Sequence, residues 1–218
     1  MASSSHVTLE TVRAALQLPL PGHAARQSMS PRPRPGDRPD LPLHCPHEGA
    51  VLVLLYRRAG ELRLPLTLRT ERGESHRGQV SLPGGAREPQ DRSFAETALR
   101  EAQEELGIAP QAVEILGALT PLYIPVSQFC VHAYVGHTPR AFALRPDPNE
   151  VAQVLEASLD HLLDPATRRI EVHERDGRHY EIPLYPVGDQ KVWGATAMIL
   201  AEFLEMVRTA RNLRPTAS

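Results

Sequence analysis

The sequence predicts an α+β fold in which a mixed β-sheet carries helices packed on its faces. Apolar runs of strand length stand on both sides of one strongly helical segment, a longer helix closes the chain, and neither a regular βαβ alternation nor an internal repeat is present. The 218 residues suffice for one cored domain with an appendage, and 41% hydrophobic with 23% charged residues matches an ordinary globular protein.

Residues 1–48 read as an N-terminal arm. Val7, Leu9, Val12, Ala15 and Leu16 space out as a short helix ended by Pro19 and Pro21, which is expected to dock on the main domain. Eight of the 21 prolines fall before residue 48, and the run from Pro31 to Gly36 can be neither regular helix nor central strand, because each proline removes a backbone donor. Its alternating arginines suit a solvated linker or a site for an acidic partner; the linker is the expectation.

The main domain spans 49–210. Ala50 to Tyr56 reads as a buried strand, a turn follows at Ala59–Gly60, and a second strand returns from Leu62 to Arg69. The Pro83-Gly84-Gly85 break precedes a helix from Ser93 to Leu106. Strands are expected at Val113–Leu119, Phe129–Val135, Val151–Leu155, Ile170–His173 and Tyr180–Leu184, with a helical turn over Leu159–Leu163 and a last helix over Ala195–Arg208. Residues 211–218 form a tail.

A net charge of −2 gives no whole-chain attraction to nucleic acid or anionic membrane, so neither is an expected partner. No apolar stretch approaches the ~20 residues that span a bilayer, and the start lacks a basic segment followed by an apolar core. Cys45 and Cys130 are widely spaced and lack a partner motif, which suggests neither a disulfide framework nor a zinc site. A reducing cytoplasm is the expected compartment.

The helical segment is marked at both ends. Ser93 followed by Glu96 forms a capping-box pattern, and Gly107 supplies a left-handed exit. Ala95, Ala98, Leu99, Ala102 and Leu106 fall on one stripe, whose small side chains allow close approach to a sheet. Glu101, Glu104 and Glu105 gather on another side, at spacings that bring Cβ atoms to roughly 5–6 Å. Like charges there repel, and a hard divalent cation, Mg²⁺ or Mn²⁺, would relieve the repulsion while binding substrate phosphate. A solvated acidic face is the plain alternative.

The register decides between them. The glycine pair, Arg100-Glu101, Glu104-Glu105 and Gly107 together resemble the Nudix box, Gly-x5-Glu-x7-Arg-Glu-(aliphatic)-x-Glu-Glu-x-Gly-(aliphatic). Two positions depart: Ala86 and Arg92 stand where the box has its first glycine and isolated glutamate, so the loop carries one extra residue and Asp91 substitutes for the acid. That loop is similar to the coenzyme A pyrophosphatase group of the family. So are Leu66-Thr67-Leu68-Arg69, His76-Arg77-Gly78-Gln79, Leu82-Pro83-Gly84-Gly85, Leu119 to Pro125, Ser127-Gln128-Phe129, Asn149-Glu150-Val151 and Trp193 to Ala197. Glu74 reverses the charge of the group's second signature arginine.

The resemblance implies a Nudix-like α/β/α sandwich with a catalytic loop-helix-loop, hydrolysing a diphosphate linkage in a nucleotide. Coenzyme A or a derivative is the first expectation, giving 3′,5′-ADP and 4′-phosphopantetheine. ADP-ribose or a nucleotide sugar is the alternative within the fold, and a non-catalytic nucleotide sensor the alternative outside catalysis. Glu101, Glu104 and Glu105 are the implied ligands for Mg²⁺ or Mn²⁺, Glu101 also as the base, with a carbonyl such as that of Gly85 completing the metal site. Arg100 would pair with Asp91. Glu150 is either a further ligand or base or an ordinary loop acid. Arg69 and His76 could face substrate phosphates, Arg77 reads as surface charge, Tyr123 and Phe129 could stack on adenine, and Trp193 reads as packing. A homodimer is expected by analogy alone.

Overall fold

The computed structural model describes residues 6–34, 36–38, 40–42, 44–70, 78–139, 143–175 and 177–213. The arm holds helices α1 (Leu9–Ala15) and α2 (Gly22–Arg26) and a 3₁₀ turn at Gln27–Met29. The main sheet gathers β1 (His47–Arg58), β2 (Glu61–Arg69), β3 (Val80–Ser81), β4 (Gly84–Ala86), β5 (Glu114–Ala118), β6 (Leu122–Ile124), β7 (Phe129–Thr138) and β8 (Val151–Ser158), with order β3-β2-β1-β7-β5 along its spine. It is mixed, because β1 runs parallel to β7 and antiparallel to β2 and β4. Helix α3 (Phe94–Leu106) lies after β4 and the short α4 (Leu159–Leu163) after β8. A second sheet, β9 (Arg169–Arg175), β10 (Arg178–Val187) and β11 (Gln190–Trp193), leads into α5 (Gly194–Leu213).

The apolar run of β1 is continuous because both of its faces are covered. Ala50, Leu52 and Leu54 pack against Ala98, Ala102 and Leu106 of α3, while Val53 and Leu55 belong to a larger core shared with Leu200, Phe203 and Leu204 of α5. The sheet thus sits between two helical layers.

The arm's Val7, Val12, Ala15 and Met29 are part of the larger core. Three expectations change. The Pro/Arg stretch is held on the domain and is not a free linker: Arg32 exchanges two 2.9 Å backbone hydrogen bonds with Glu181, and Arg34 donates to the Tyr123 carbonyl at 3.3 Å. Cys45 and Cys130 form a disulfide with Cα atoms 6.0 Å apart. Parallel pairing sets His47 beside Phe129 and Glu48 beside Cys130, a proximity that sequence spacing does not encode, and the bond removes the cysteine argument for a reducing compartment. Finally, α5 runs through residues 211–213, which were expected to be tail. Among the described residues no helix is long and apolar enough to cross a membrane.

Candidate active site

Helix α3 is fixed at both ends before it presents any chemistry. Ser93 Oγ accepts the Glu96 N–H at 3.2 Å, and Gly107 takes φ +70° as its N–H reaches the Gln103 carbonyl at 2.8 Å. Glu96 turns back to the Arg92 N–H, at 2.9 Å, one residue earlier than a capping box requires. Beside Ala98 and Ala102, which pack on the sheet, Glu105 and Glu101 also face it, and Glu104 points outward.

Those acids occupy three different environments. Glu101 is packed against Gly85, where an added Cβ would lie 2.6 Å from the carboxylate and would push it aside. Burial raises its pKa, Arg100 opposes that, and Glu104 and Glu150 raise it further. Glu105 is buried, with the Thr67 hydroxyl donating to it at 3.4 Å. Burial pushes its pKa up to about 8; Arg69 and the Gly84 amide pull it down, and Glu101 and Glu150 push it up. Glu104 is more than half exposed and accepts from Arg100 Nη1 at 2.9 Å.

Arg100 organises this group. It pairs with Asp91 through two 3.1 Å contacts, as expected, donates to the Ala86 carbonyl at 2.9 Å, and also reaches Glu101 at 2.9 Å. Its Nη1 is therefore shared between Glu101 and Glu104. The guanidinium, hemmed in by acids, has its pKa raised, above all by Asp91. Asp91 is held at about 2, chiefly by Arg100.

The structure brings Glu101, Glu150 and Arg69 within electrostatic reach of Glu105, and Glu150 within reach of Glu101. Oxygen donors of this kind suit a hard divalent cation, and Glu101, Glu105 and the Gly85 backbone meet at one place. The full convergence expected from helical spacing is not formed: among the described residues no three His, Cys, Asp or Glu side chains stand together as a metal cage, because Glu104 is turned out to Arg100. Glu104 would have to leave that partner to join the other two.

The remaining expected residues divide. His76 and Arg77 lie outside the described residues. Phe129 pairs across the sheet with Ile124, and Tyr123 with Cys130, so the two aromatic side chains stand on opposite faces and cannot line one ring together. Phe129 packs on the larger core, away from α3. Trp193 is partly exposed, at the end of β11, so it is not a core residue.

Sequence reasoning missed Thr67, whose hydroxyl reaches Glu105 from β2, and the group around His132. That ring stacks on Phe94 with centroids 3.6 Å apart, and the Arg87 guanidinium lies 4.8 Å from the Phe94 centroid. Burial pushes the His132 pKa down. An open cleft of about 390 Å³ lies beside them, lined by Cys45, Pro46, Glu48, Arg87, Glu88 and Pro89. The signal was available in part, since His132 and Tyr134 alternate with apolar residues along β7.

A profile of the NUDIX domain matches residues 46–175. The chain is similar to the Nudix hydrolase NudL of Photorhabdus laumondii, 36% identical over 168 residues that cover 77% of this chain and 82% of that protein. It is similar also to human mitochondrial coenzyme A diphosphatase NUDT8, 37% identical over 165 residues, covering 74% and 70% respectively. Among solved structures, a MutT/nudix family protein from Enterococcus faecalis matches with a TM-score of 0.53 at 19% identity, over 94% of this chain and 76% of the other; that likeness concerns the fold.

Proposed function

The chain belongs to the Nudix hydrolase family and is a pyrophosphohydrolase, and from that premise we propose that it hydrolyses coenzyme A or a derivative at the diphosphate linkage, with a divalent cation. The products are 3′,5′-ADP and 4′-phosphopantetheine. The observation that carries the reading is Glu105: a buried carboxyl beside Glu101 and Glu150, on the helix that also carries Glu104 and Arg100. A group so placed costs stability unless it serves a ligand. The substrate assignment draws its support from the similarity to the human coenzyme A diphosphatase and from the Pro83-Gly84-Gly85 loop with its extra residue.

Glu101, Glu105 and the Gly85 carbonyl would hold Mg²⁺ or Mn²⁺, joined by Glu104. Once bound, such an ion neutralises diphosphate oxygens and polarises the bond to phosphorus. Glu101, whose pKa burial raises, is suited to take the proton from the attacking water. Arg100, anchored by Asp91, sets the orientation of Glu101 and Glu104. Arg69 offers positive charge near Glu105, suited to a substrate phosphate.

The deciding experiment incubates the protein with coenzyme A and Mg²⁺ or Mn²⁺, with a chelator control, and weighs the products by mass spectrometry. The two named products are expected only with the ion, and Glu105→Gln and Glu104→Gln should each lower turnover by orders of magnitude without unfolding the chain. A clear preference for ADP-ribose would dismiss the substrate. Near-normal rates in both variants would dismiss the ligand assignment.

A further inference from the structure

Strand β9 is an open edge of the second sheet. It pairs with β10 in unbroken register from Arg169 to Arg175, and among the described residues no second strand lies along its other side. It contains no proline or bulge, two of the devices by which an edge strand avoids adding another chain, and what protection it has is charge, from Arg169, Glu171 and Glu174. On one of its faces stand Ile170 and Val172, 49% and 65% exposed. Because Ile170 pairs with Pro183, that face is continuous with Pro183 and Tyr185, both buried; the apolar surface runs outward from the core and stops at solvent.

The hydrogen-bonding phase of this edge follows from β10. Glu181 spends its own N–H and C=O on Arg32, at 2.9 Å each way, so its cross-strand partner Val172 forms a non-hydrogen-bonded pair with it. Pro183, which has no N–H, faces Ile170 in the same phase. The backbone groups of Ile170, Val172 and Glu174 are therefore directed at the open side. A strand that adds there must match this phase, which restricts a two-fold pairing of β9 with itself to a few registers.

We propose that β9 is the interface of a two-fold dimer, in which β9 of a second copy pairs antiparallel about Glu171 and joins the two three-stranded sheets into one. In this register Ile170 faces the partner's Val172 and Arg168 faces the partner's Glu174, so apolar meets apolar and positive meets negative twice over. Centring on Val172 instead would set Ile170 against the partner's Glu174. On the other face Glu171 meets the partner's Glu171 and Arg169 meets the partner's His173, and each copy pairs its own Glu171 with Lys191, at 2.8 Å. On the face of Ile170 and Val172, the sequence from Arg168 to Glu174 is thus complementary to its own reverse. The occupant that fits is a second copy of this chain.

Sedimentation equilibrium tests the idea on the full chain, with thermal unfolding to confirm that each variant is folded. The wild type should show twice the 24.1 kDa chain mass, and Val172→Lys should show a single chain. Arg168→Glu and Glu174→Arg, each repelling itself across the two-fold axis, should also be single chains; mixed in equal amounts they should restore the dimer, because each then meets its opposite. Arg168 also donates to the Ser28 carbonyl at 2.9 Å, and the mixing step separates any local effect of losing that bond from the pairing itself. A wild type that stays a single chain at every concentration, a dimer untouched by Val172→Lys, or a mixture of folded charge variants that fails to associate would each overturn the proposal.

Discussion

Asp91 is a small residue on which a large share of the site's order rests. It accepts from Arg100 twice at 3.1 Å and from the Glu88 N–H at 2.9 Å, and these donors hold its pKa at about 2, below the ordinary 3.8. A carboxyl depressed on folding contributes stability above its unfolded pKa, and loses it as pH falls from 3.8 toward 2. With solvent screening allowed for, the contribution is about 1–2 kcal/mol. Asp91→Asn should therefore lower the melting temperature at neutral pH and flatten its acid dependence across that window. Thermal unfolding as a function of pH would show it, and parallel profiles for the two proteins would refute the assignment. The pairing of Asp91 with Arg100 could be read ahead of the structure, because Asp91 is the acid next to Arg92, which stands where the Nudix box has its isolated glutamate. The separate fates of the three glutamates could not. Helical spacing sets them on one flank, but the burial of Glu105 depends on Thr67 and Gly84, which reach it from elements far away in sequence.

Among the elements, α3 was the most legible, since its cap, apolar stripe and exit all lie within one continuous segment. Ser93 is the cap, its hydroxyl accepting from the Glu96 N–H at 3.2 Å. Replacing such a cap by alanine costs about 1 kcal/mol, in the range 0.5–2. Ser93→Ala should lower the unfolding midpoint by that amount while leaving kcat/KM close to wild type, because the acids lie two turns or more beyond the cap. A denaturant titration alongside the coenzyme A assay measures both, and an unchanged midpoint would mean that Glu96 and Arg92 hold the helix start by themselves. Strands β1 and β2 were equally legible from their apolar runs. The two- to four-residue strands β3, β4 and β11 were not, since segments so short carry no period and are defined by the partner that pairs with them.

At the scale of the whole molecule, the arm and the domain share one buried ion pair, which sequence reading did not foresee because its halves stand 176 residues apart. Arg26 donates through Nε to Glu202 at 2.8 Å and through Nη1 to the Pro121 carbonyl at 2.9 Å. Glu202, fully buried in α5, also accepts the Thr120 N–H at 3.0 Å and its hydroxyl at 2.6 Å. One carboxylate thus ties α2, α5 and the turn ahead of β6 together. Removing one partner of such a pair strands a charge in the core and costs about 3–5 kcal/mol, whereas replacing both by apolar groups of similar volume is often neutral. Arg26→Met should accordingly destabilise the chain by that amount, and Arg26→Met with Glu202→Leu should recover part of the loss. The recovery will be incomplete, because the double variant still leaves the Thr120 donors without their acceptor. Chemical denaturation of the wild type, both single variants and the double gives the coupling energy directly. If the four values were additive, the arm would be held by its apolar contacts through Val12, Ala15 and Met29 alone, and the pair would have no part in joining it to the domain.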